Sequence, residues 1–168
     1  MKGVDRIRMD KSLNKMHPHP AWRERSDYLL HVPVEHTGDS EYFEELWTRQ
    51  VGENLHEICC IPFFIFGLAL GDTVEFHQGK VPAESLTLIE PSGHETYWVW
   101  IDDNCPISEM ERIRDKLIEH WIEHEGFGFK LLAIDIPPTK SSDILSEMLA
   151  KPSAEGWLKY GPSRERPQ

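Results

Sequence analysis

The sequence has no long uninterrupted run of apolar residues. Its longest apolar stretch, from Cys59 to Leu70, falls short of the roughly 18 residues that a membrane-spanning helix needs, and Pro62 and Gly67 break it. The N-terminus also lacks the continuous apolar segment of a secretory signal peptide. These absences argue against a helical membrane protein and against a secreted one, so we expect a soluble protein of the cytoplasm.

Cysteine is scarce as well, with three in 168 residues. Cys59 and Cys60 are adjacent, where a mutual disulfide would be strained, and Cys105 stands apart. The pair would need further Cys or His residues at motif spacing to hold a metal ion, and the sequence does not supply them. We therefore expect three reduced thiols, with the adjacent pair buried and no bound metal.

The motifs of the common enzyme classes are missing too. The chain has no G-x-S-x-G elbow for a nucleophilic serine, and neither G-x-x-x-x-G-K-[ST] nor G-x-G-x-x-G to hold nucleotide phosphates. Asp102 and Asp103 precede a predicted helix, where acidic residues more often interact with the helix dipole than with a cation. We expect a protein that binds rather than catalyses, and that uses no cofactor.

One pattern keeps a hydrolase open. His120, Glu123 and His124 match the H-x-x-E-H signature of inverted zinc peptidases, in which two histidines on one helix face hold Zn²⁺ and the glutamate activates a water molecule. A third ligand is hard to find in the rest of the chain. The alternative interpretation is a histidine pair that packs in or beside the core. A metal-dependent hydrolase is therefore the third of our functional hypotheses.

Negative charge is what the sequence has in excess. Residues 26–150 hold seven Lys and Arg against 24 Asp and Glu, a net charge of −17, in a chain whose total is −11. The two ends are basic, with +4 over residues 1–25 and +2 over residues 151–168. An acidic body repels nucleic acid and anionic membranes and favours a basic partner. The alternative is that the acidity only keeps the protein soluble.

The residue pattern predicts one α+β domain over residues 27–160, between a flexible leader (1–26) and a C-terminal tail (161–168). The first part is predicted to be an antiparallel meander, because apolar and polar residues alternate between turn signals. A short helix competes near Tyr42, where the alternation is broken. The predicted strands are 28–34, 42–51, 55–61, 73–76, 85–90 and 95–101.

The period then changes to that of helices. Ser108 and Glu111 have the spacing of a capping box, which predicts the start of a helix. The predicted elements are helices at 108–125 and from 141 or 142 to 152, and strands at 129–136 and 157–160. The resulting β-α-β-α-β order predicts half of a ferredoxin-like sandwich, packed on the meander.

Two tryptophans lie on one predicted strand. Trp98 and Trp100 are two positions apart and should face the same side, while Tyr97 and Val99 face the other. We favour the interpretation in which both faces are covered, one by the helices and one by the meander. If one face is exposed, it is a recognition surface.

A continuous block of the sequence resembles a known family. The run from Cys60 to Val74, C-I-P-F-F-I-F-G-L-A-L-G-D-T-V, and the later S-G-H-E-T-Y from Ser92 to Tyr97 look like a small bacterial family catalogued as a domain of unknown function, number four-two-six-five. The resemblance covers residues 42–160 and brings no established catalytic residue. It implies a bacterial cytosolic protein and suggests an immunity protein, since small acidic domains of this kind occur beside secreted antibacterial toxins.

Our leading hypothesis is thus a cytosolic immunity protein that binds a cognate bacterial toxin with a basic surface and neutralises it by occluding its active surface. The alternative is a small-ligand-binding or regulatory module, because ferredoxin-like halves often bind metabolites or dimerise. We expect no nucleic-acid or membrane partner. The predicted partner-binding residues are Glu41, Glu44, Glu45, Asp102, Asp103, Glu119 and Glu123.

Overall fold

The computed structural model describes residues 17–34, 42–79 and 85–163. In these residues nine strands form two antiparallel sheets, which together with two α-helices confirm the predicted α+β class. No helix in this part of the chain is long and apolar enough to cross a membrane. The elements are a 3-10 helix (Arg23–Arg25), β1 (Tyr28–Val34), β2 (Tyr42–Gly52), β3 (Leu55–Ile58), β4 (Thr73–Phe76), β5 (Leu86–Glu90), β6 (Glu95–Ile101), α1 (Ile107–Glu119), β7 (His124–Phe127), β8 (Leu131–Ile136), α2 (Asp143–Ala154) and β9 (Leu158–Pro162).

The first sheet is the predicted meander, with its strands in the order β1-β2-β3-β4-β5. β2 is a strand along its whole length, so the competing short helix is not formed. Leu30 pairs with Leu46, and His56 with Val74, so the residues of each pair share a face. Leu30, Leu46 and Val74 are buried with Ile58 in one apolar cluster. This inner face is the one that turns towards the rest of the protein.

The second sheet has the order β7-β8-β6-β9, with every neighbouring pair antiparallel. This is the complete ferredoxin-like β-α-β-β-α-β arrangement, of which the sequence predicted only half. The additional strand is β7, a four-residue edge strand. Both helices pack on one face of this sheet, where Val99 and Ile134 from the strands meet Leu117, Leu145 and Leu149 from the helices.

The loop between β3 and β4 covers the other face of the second sheet. Ile61 and Phe63 from this loop pack against Trp98 and Ala133. The Trp98 indole donates a hydrogen bond to the carbonyl oxygen of Pro62 at 2.9 Å. The I-P-F-F block of the sequence therefore packs in the interior, between the two sheets.

Helix α1 ends at Glu119, well before the predicted end at Glu125. Trp121 has a left-handed backbone with φ of 56°, and the amide of Ile122 donates to the carbonyl of Leu117 at 2.9 Å. This is the Schellman arrangement that closes a helix. Leu117 and Ile122 are both buried in the core under the helices, so the chain turns here and continues as β7.

The start of α1 also differs from the prediction. Pro106 occupies the N-cap position with an extended backbone, and no side chain caps the helix. Ser108 and Glu111 therefore form no capping box. The carbonyl of Pro106 instead accepts the first hydrogen bonds of the helix, from the amides of Glu109 at 3.0 Å and Met110 at 3.2 Å.

Some side chains of residues 17–26 pack into the fold, so the predicted domain boundary at residue 27 leaves out part of the packed structure. His17 is buried, and the amide of Trp22 donates to the carbonyl of Cys59 at 2.9 Å. The predicted tail also starts too early, because β9 extends to Pro162. The remainder of the predicted leader (1–16) and of the predicted tail (164–168) lies outside the described residues.

Truncating a residue of the core under the helices should cost far more stability than truncating an edge residue. Ile134→Ala removes a fully buried side chain and should lower the free energy of unfolding by about 2–5 kcal/mol. Ile89→Ala on β5, where the side chain is 52% exposed, is the matched control and should change it by less than about 0.5 kcal/mol. Urea denaturation of the two variants and the parent measures both values. Equal losses would contradict the assigned core.

Candidate functional site

The six described residues among the seven acids predicted to bind a partner lie on separate elements of the fold. Asp102 and Asp103 are exposed in the loop before α1, whereas Glu119 is exposed at the other end of this helix and Glu123 just beyond it. Glu45 is half-buried on β2. Glu41 lies outside the described residues.

Glu44 is not on the surface at all, so its prediction as an exposed acid is wrong. Its side chain is fully buried and accepts hydrogen bonds from the amides of Phe63 at 2.7 Å and Phe64 at 2.9 Å. The period of two along β2 places Glu44 on the same face as Leu46 and Thr48, which are also buried. The alternation that predicted the strand therefore already contained the signal for an internal carboxylate.

The partner of Glu44 is a buried histidine from the N-terminal segment. His17 Nε2 lies 3.0 Å from Glu44 Oε1, and its Nδ1 lies 2.5 Å from Glu125 Oε2. The His17 ring stacks on Phe63, with 4.6 Å between ring centroids and 16° between planes. We call His17, Glu44 and Glu125 the histidine clamp. It joins the N-terminal segment to β2 of the first sheet and β7 of the second.

The second carboxylate of the clamp is also fully engaged. Glu125 Oε1 accepts hydrogen bonds from the amides of Ala21 at 2.9 Å and Ile61 at 2.8 Å. Four backbone N–H groups and one imidazole thus surround the two carboxylates of the clamp, which is how a buried carboxylate becomes tolerable.

His17 is held in its charged form. Burial alone would lower the pKa of His17, but the Cys60 sulfur and the carboxylates of Glu125 and Glu44 raise it well above the usual 6.5. Burial raises the pKa of the Cys60 thiol, although His17 opposes the rise. A cysteine, a histidine and two glutamates meet here, but they are shielded from solvent. The cluster is therefore suited to holding the fold together rather than to nucleophilic chemistry.

All three cysteines are free, as the sequence predicted. Cys59 and Cys60 are buried, and Cys105 is half-buried. Burial raises the pKa of Cys59 to about 12, with the nearby Glu57 adding to the shift. These thiols are consequently poor nucleophiles.

Removing the imidazole of the clamp should destabilise the protein and change how its stability depends on pH. His17→Gln leaves two buried carboxylates without a cation and should cost about 3–5 kcal/mol. In the parent, the folded state binds the His17 proton more tightly than the unfolded chain does. The clamp's contribution is therefore complete below about pH 6.5 and falls by about 1.4 kcal/mol per pH unit as pH rises towards the folded pKa.

Urea denaturation between pH 6 and pH 9 measures this dependence. The variant should lack the falling segment that the parent shows. His31→Gln, an exposed histidine on β1, is the matched control and should stay within about 0.5 kcal/mol of the parent. Parallel stability curves for His17→Gln and the parent would show that the imidazole is not charged in the fold.

A second histidine–carboxylate pair lies nearer the surface, between the β5–β6 turn and β8. His94 Nδ1 is 2.8 and 2.9 Å from the two oxygens of Asp135. The indole of Trp22 meets the His94 ring edge-on, with 5.7 Å between centroids. Trp22 also packs on Gly71, whose positive φ of 82° and close approach leave no room for a side chain.

The hydroxyl of Ser92 stands beside this pair without serving as its nucleophile. Ser92 Oγ donates to the carbonyl of Leu70 at 2.7 Å and lies 3.0 Å from Asp72 Oδ1. It accepts a hydrogen bond from the backbone amide of His94. These contacts use the hydroxyl to fix the turn and do not orient it towards the imidazole, as a serine–histidine catalytic pair requires.

Asp135 should titrate in the mildly acidic range. Burial raises the pKa of Asp135 from 3.8 to about 6, although His94 opposes the rise. His94→Gln removes that opposition and should raise the pKa further. The carboxyl ¹³C signal of Asp135, followed by NMR against pH, measures both values. His77→Gln, a histidine paired with Glu75 elsewhere, should leave the Asp135 titration unchanged.

The same shift carries a stability consequence with a fixed sign. The unfolded chain releases the Asp135 proton near pH 3.8, whereas the folded state retains it to about pH 6. This group therefore stabilises the fold in acid, and its contribution is lost as pH rises from 3.8 to about 6. An Asp135 signal that titrates near 3.8 would contradict the burial of this carboxyl.

The H-x-x-E-H residues do not share a helix face. His120 caps the end of α1, while His124 begins β7 and its Nδ1 lies 3.1 Å from the carbonyl oxygen of Ile122. The left-handed turn at Trp121 separates the two imidazoles, so the helical spacing on which the zinc hypothesis depended is wrong. Over residues 17–34, 42–79 and 85–163, no group of three or more His, Cys, Asp or Glu side chains is arranged to hold a metal ion.

Several aromatic side chains of the second sheet and its turns are exposed to solvent. Trp98 is buried as the favoured interpretation expected, but Trp100 is 46% exposed. Phe129, in the turn between β7 and β8, is 93% exposed, and Trp121, at the other end of β7, is 87% exposed. Position 121 lies inside the helix predicted over residues 108–125, so the exposure of Trp121 was not predicted.

Comparison with known proteins places the fold but names no activity. A family model described as a domain of unknown function (DUF4265) matches residues 44–160, from β2 to β9. A solved structure from Neisseria gonorrhoeae, described as the novel crystal structure of a hypothetical protein, superimposes with a TM-score of 0.63 at 23% identity over 80% of this chain and 92% of that one. At this identity the likeness shows the fold alone. No curated protein matches the sequence.

Proposed function

Since this chain belongs to the family described as a domain of unknown function (DUF4265), which names no activity, we propose its function from the chemistry of its surface. The protein acts as a cytoplasmic immunity protein. It binds a bacterial toxin that has a basic surface and neutralises the toxin by covering its active surface. The observation that supports this proposal is the large excess of exposed carboxylates over exposed cations.

The acidity remains on the surface even after the internal carboxylates are set aside. The buried acidic residues are Glu44, Glu57, Asp72, Glu125 and Asp135. Every other acidic side chain between residues 26 and 150 whose burial is described is partly or fully exposed. In the same segment only seven residues are Lys or Arg, and Arg49 and Arg112 already pair with Glu57 and Glu109. A body of this charge steers a basic partner towards it.

Occlusion suits this protein because its own polar clusters are engaged internally. The clamp is shielded from solvent, and Ser92 is committed to a turn. A binding protein needs a rigid body with exposed anchors and charges, and not a reactive group. The two sheets and the two helices provide that body.

A small-ligand or regulatory module is the second candidate function. The His94–Asp135 pair favours it, because the His94 side chain is 16% exposed and the pKa of its partner Asp135 is raised to about 6. A metabolite that co-purifies with the protein, and that His94→Gln releases, would support this candidate over the first.

Co-expression tests the immunity function directly. Each gene that flanks the gene for this protein is expressed alone in a bacterial host, and any product that arrests growth is then co-expressed with this chain. We expect growth to be restored, and the purified pair to bind with a dissociation constant of about 10⁻⁹ M or tighter. Growth arrest that co-expression does not relieve, or flanking genes that are all harmless, would overturn the proposal.

Charge reversal separates steering from general solubility. Asp102→Lys with Asp103→Lys changes two exposed acids and should slow association and flatten its salt dependence, with little effect on dissociation. Asp102→Asn with Asp103→Asn is the control of matched size, with half the change in charge. Glu44 is unsuitable for such a test, because a lysine there would be buried inside the clamp.

A further inference from the structure

The geometry points to one docking site on this protein. We propose that the corner between α1 and β7, formed by Ile118, Glu119, Trp121 and Glu123, receives an arginine side chain of a protein partner, with Trp121 as the anchor. We call these four residues the tryptophan corner. The proposal rests on the proposed function in that the partner is a basic protein, and it specifies which surface the partner contacts.

The fold requires a left-handed backbone at position 121, but it does not require a tryptophan there. The residue has φ of 56°, and its amide donates to the carbonyl of Ile118 at 3.0 Å as part of the Schellman arrangement. Glycine is the usual residue at this position, because a side chain there crowds the backbone. A bulky aromatic residue in the left-handed region is an outlier that often marks a functional site.

The side chain at this strained position is also directed into solvent. Trp121 is 87% exposed and Ile118 is 64% exposed, although both are large apolar residues. Neither side chain contributes to the core of the protein. Tryptophan is the residue type most enriched among side chains that dominate the energetics of protein interfaces. Strain and exposure at the same residue are both explained if Trp121 is an interface anchor.

The charges around the anchor define the chemistry of its partner. Glu119 and Glu123 are exposed on either side of Trp121 in the chain, and Glu119 pairs with Lys116 at 2.6 Å. Glu123 appears in no ion pair with another described residue. A guanidinium group stacks on an indole ring and binds a carboxylate through two parallel hydrogen bonds, which an ammonium group cannot do. An arginine is therefore the side chain that best fits this corner.

The first experiment uses an oligoarginine peptide and the full chain labelled with ¹⁵N. We expect the indole N–H signal of Trp121 and the amide of Glu123 to shift together, and oligolysine of equal length to bind several-fold more weakly. Trp121→Gly should weaken oligoarginine binding about 10-fold. Phe129→Ala removes an equally exposed aromatic at the other end of β7 and should leave binding unchanged. Equal affinity for Trp121→Gly and the parent would overturn the proposal.

Trp121→Gly also has an expected effect that needs no partner. Because glycine relieves the left-handed strain, the variant should unfold at a temperature about 2–4 °C higher than the parent. A lower unfolding temperature would show that Trp121 supports the fold, and the argument from strain would fail. Trp121→Asn, which tolerates this backbone conformation better than most residues, should show a smaller rise.

A toxin identified by co-expression gives the decisive comparison. Trp121→Gly should raise its dissociation constant about 30-fold or more, mainly through faster dissociation. A toxin neutralised equally well by the variant and the parent would overturn this docking site and leave the immunity function standing. Oligoarginine binding at Trp121 without any toxic neighbour would support the site and remove the immunity function.

Discussion

One protonated imidazole holds the two sheets of this protein together. His17 lies between Glu44 of the first sheet and Glu125 of the second, at 3.0 and 2.5 Å. Without that cation, two carboxylates would face each other in an interior where charges are poorly screened. The I-P-F-F loop depends on the same cluster, because its amides donate to both carboxylates. The interface between the sheets therefore contains a charged cluster that is surrounded by apolar side chains.

Such a cluster contributes specificity more than raw stability. Moving a histidinium and two carboxylates out of water has a large cost, which the hydrogen bonds and mutual attraction offset only when the geometry is right. A donor that must meet two acceptors, each also bound by fixed amides, allows one arrangement. We regard this as the reason for polar residues at positions where Val or Leu would otherwise fit.

The sequence predicted what depends on short-range pattern. Alternation identified strands β1, β2 and β4, because each buries one face and leaves the other more exposed. The clamp could not be found in this way, since His17 is 27 positions from Glu44 and 108 from Glu125. No spacing rule joins residues so far apart. The burial of Glu44 was within reach, because the period of two in β2 sets it beside Leu46 on the inner face.

The end of α1 was missed for a different physical reason. Local rules place glycine at the left-handed residue that follows a helix, and Gly126 directly follows the predicted end at Glu125. The chain instead turns at Trp121, because Ile122 and Leu117 are drawn together in the core. Because the helix was predicted to run to Glu125, strand β7 was not predicted and Trp121 was not expected to be exposed. The same error placed His120 and His124 on one helix face, on which the zinc hypothesis depended. A local rule failed where the tertiary contact outweighed it.

The position of His17 has a consequence for how this family is delimited. Similarity begins at Glu44, yet Glu44 is buried with a partner that precedes the matched region. A chain cut at the first matched residue would lose β1 and the imidazole, and would leave two internal carboxylates facing each other. The matched segment of this chain is thus shorter than the segment that completes its buried cluster.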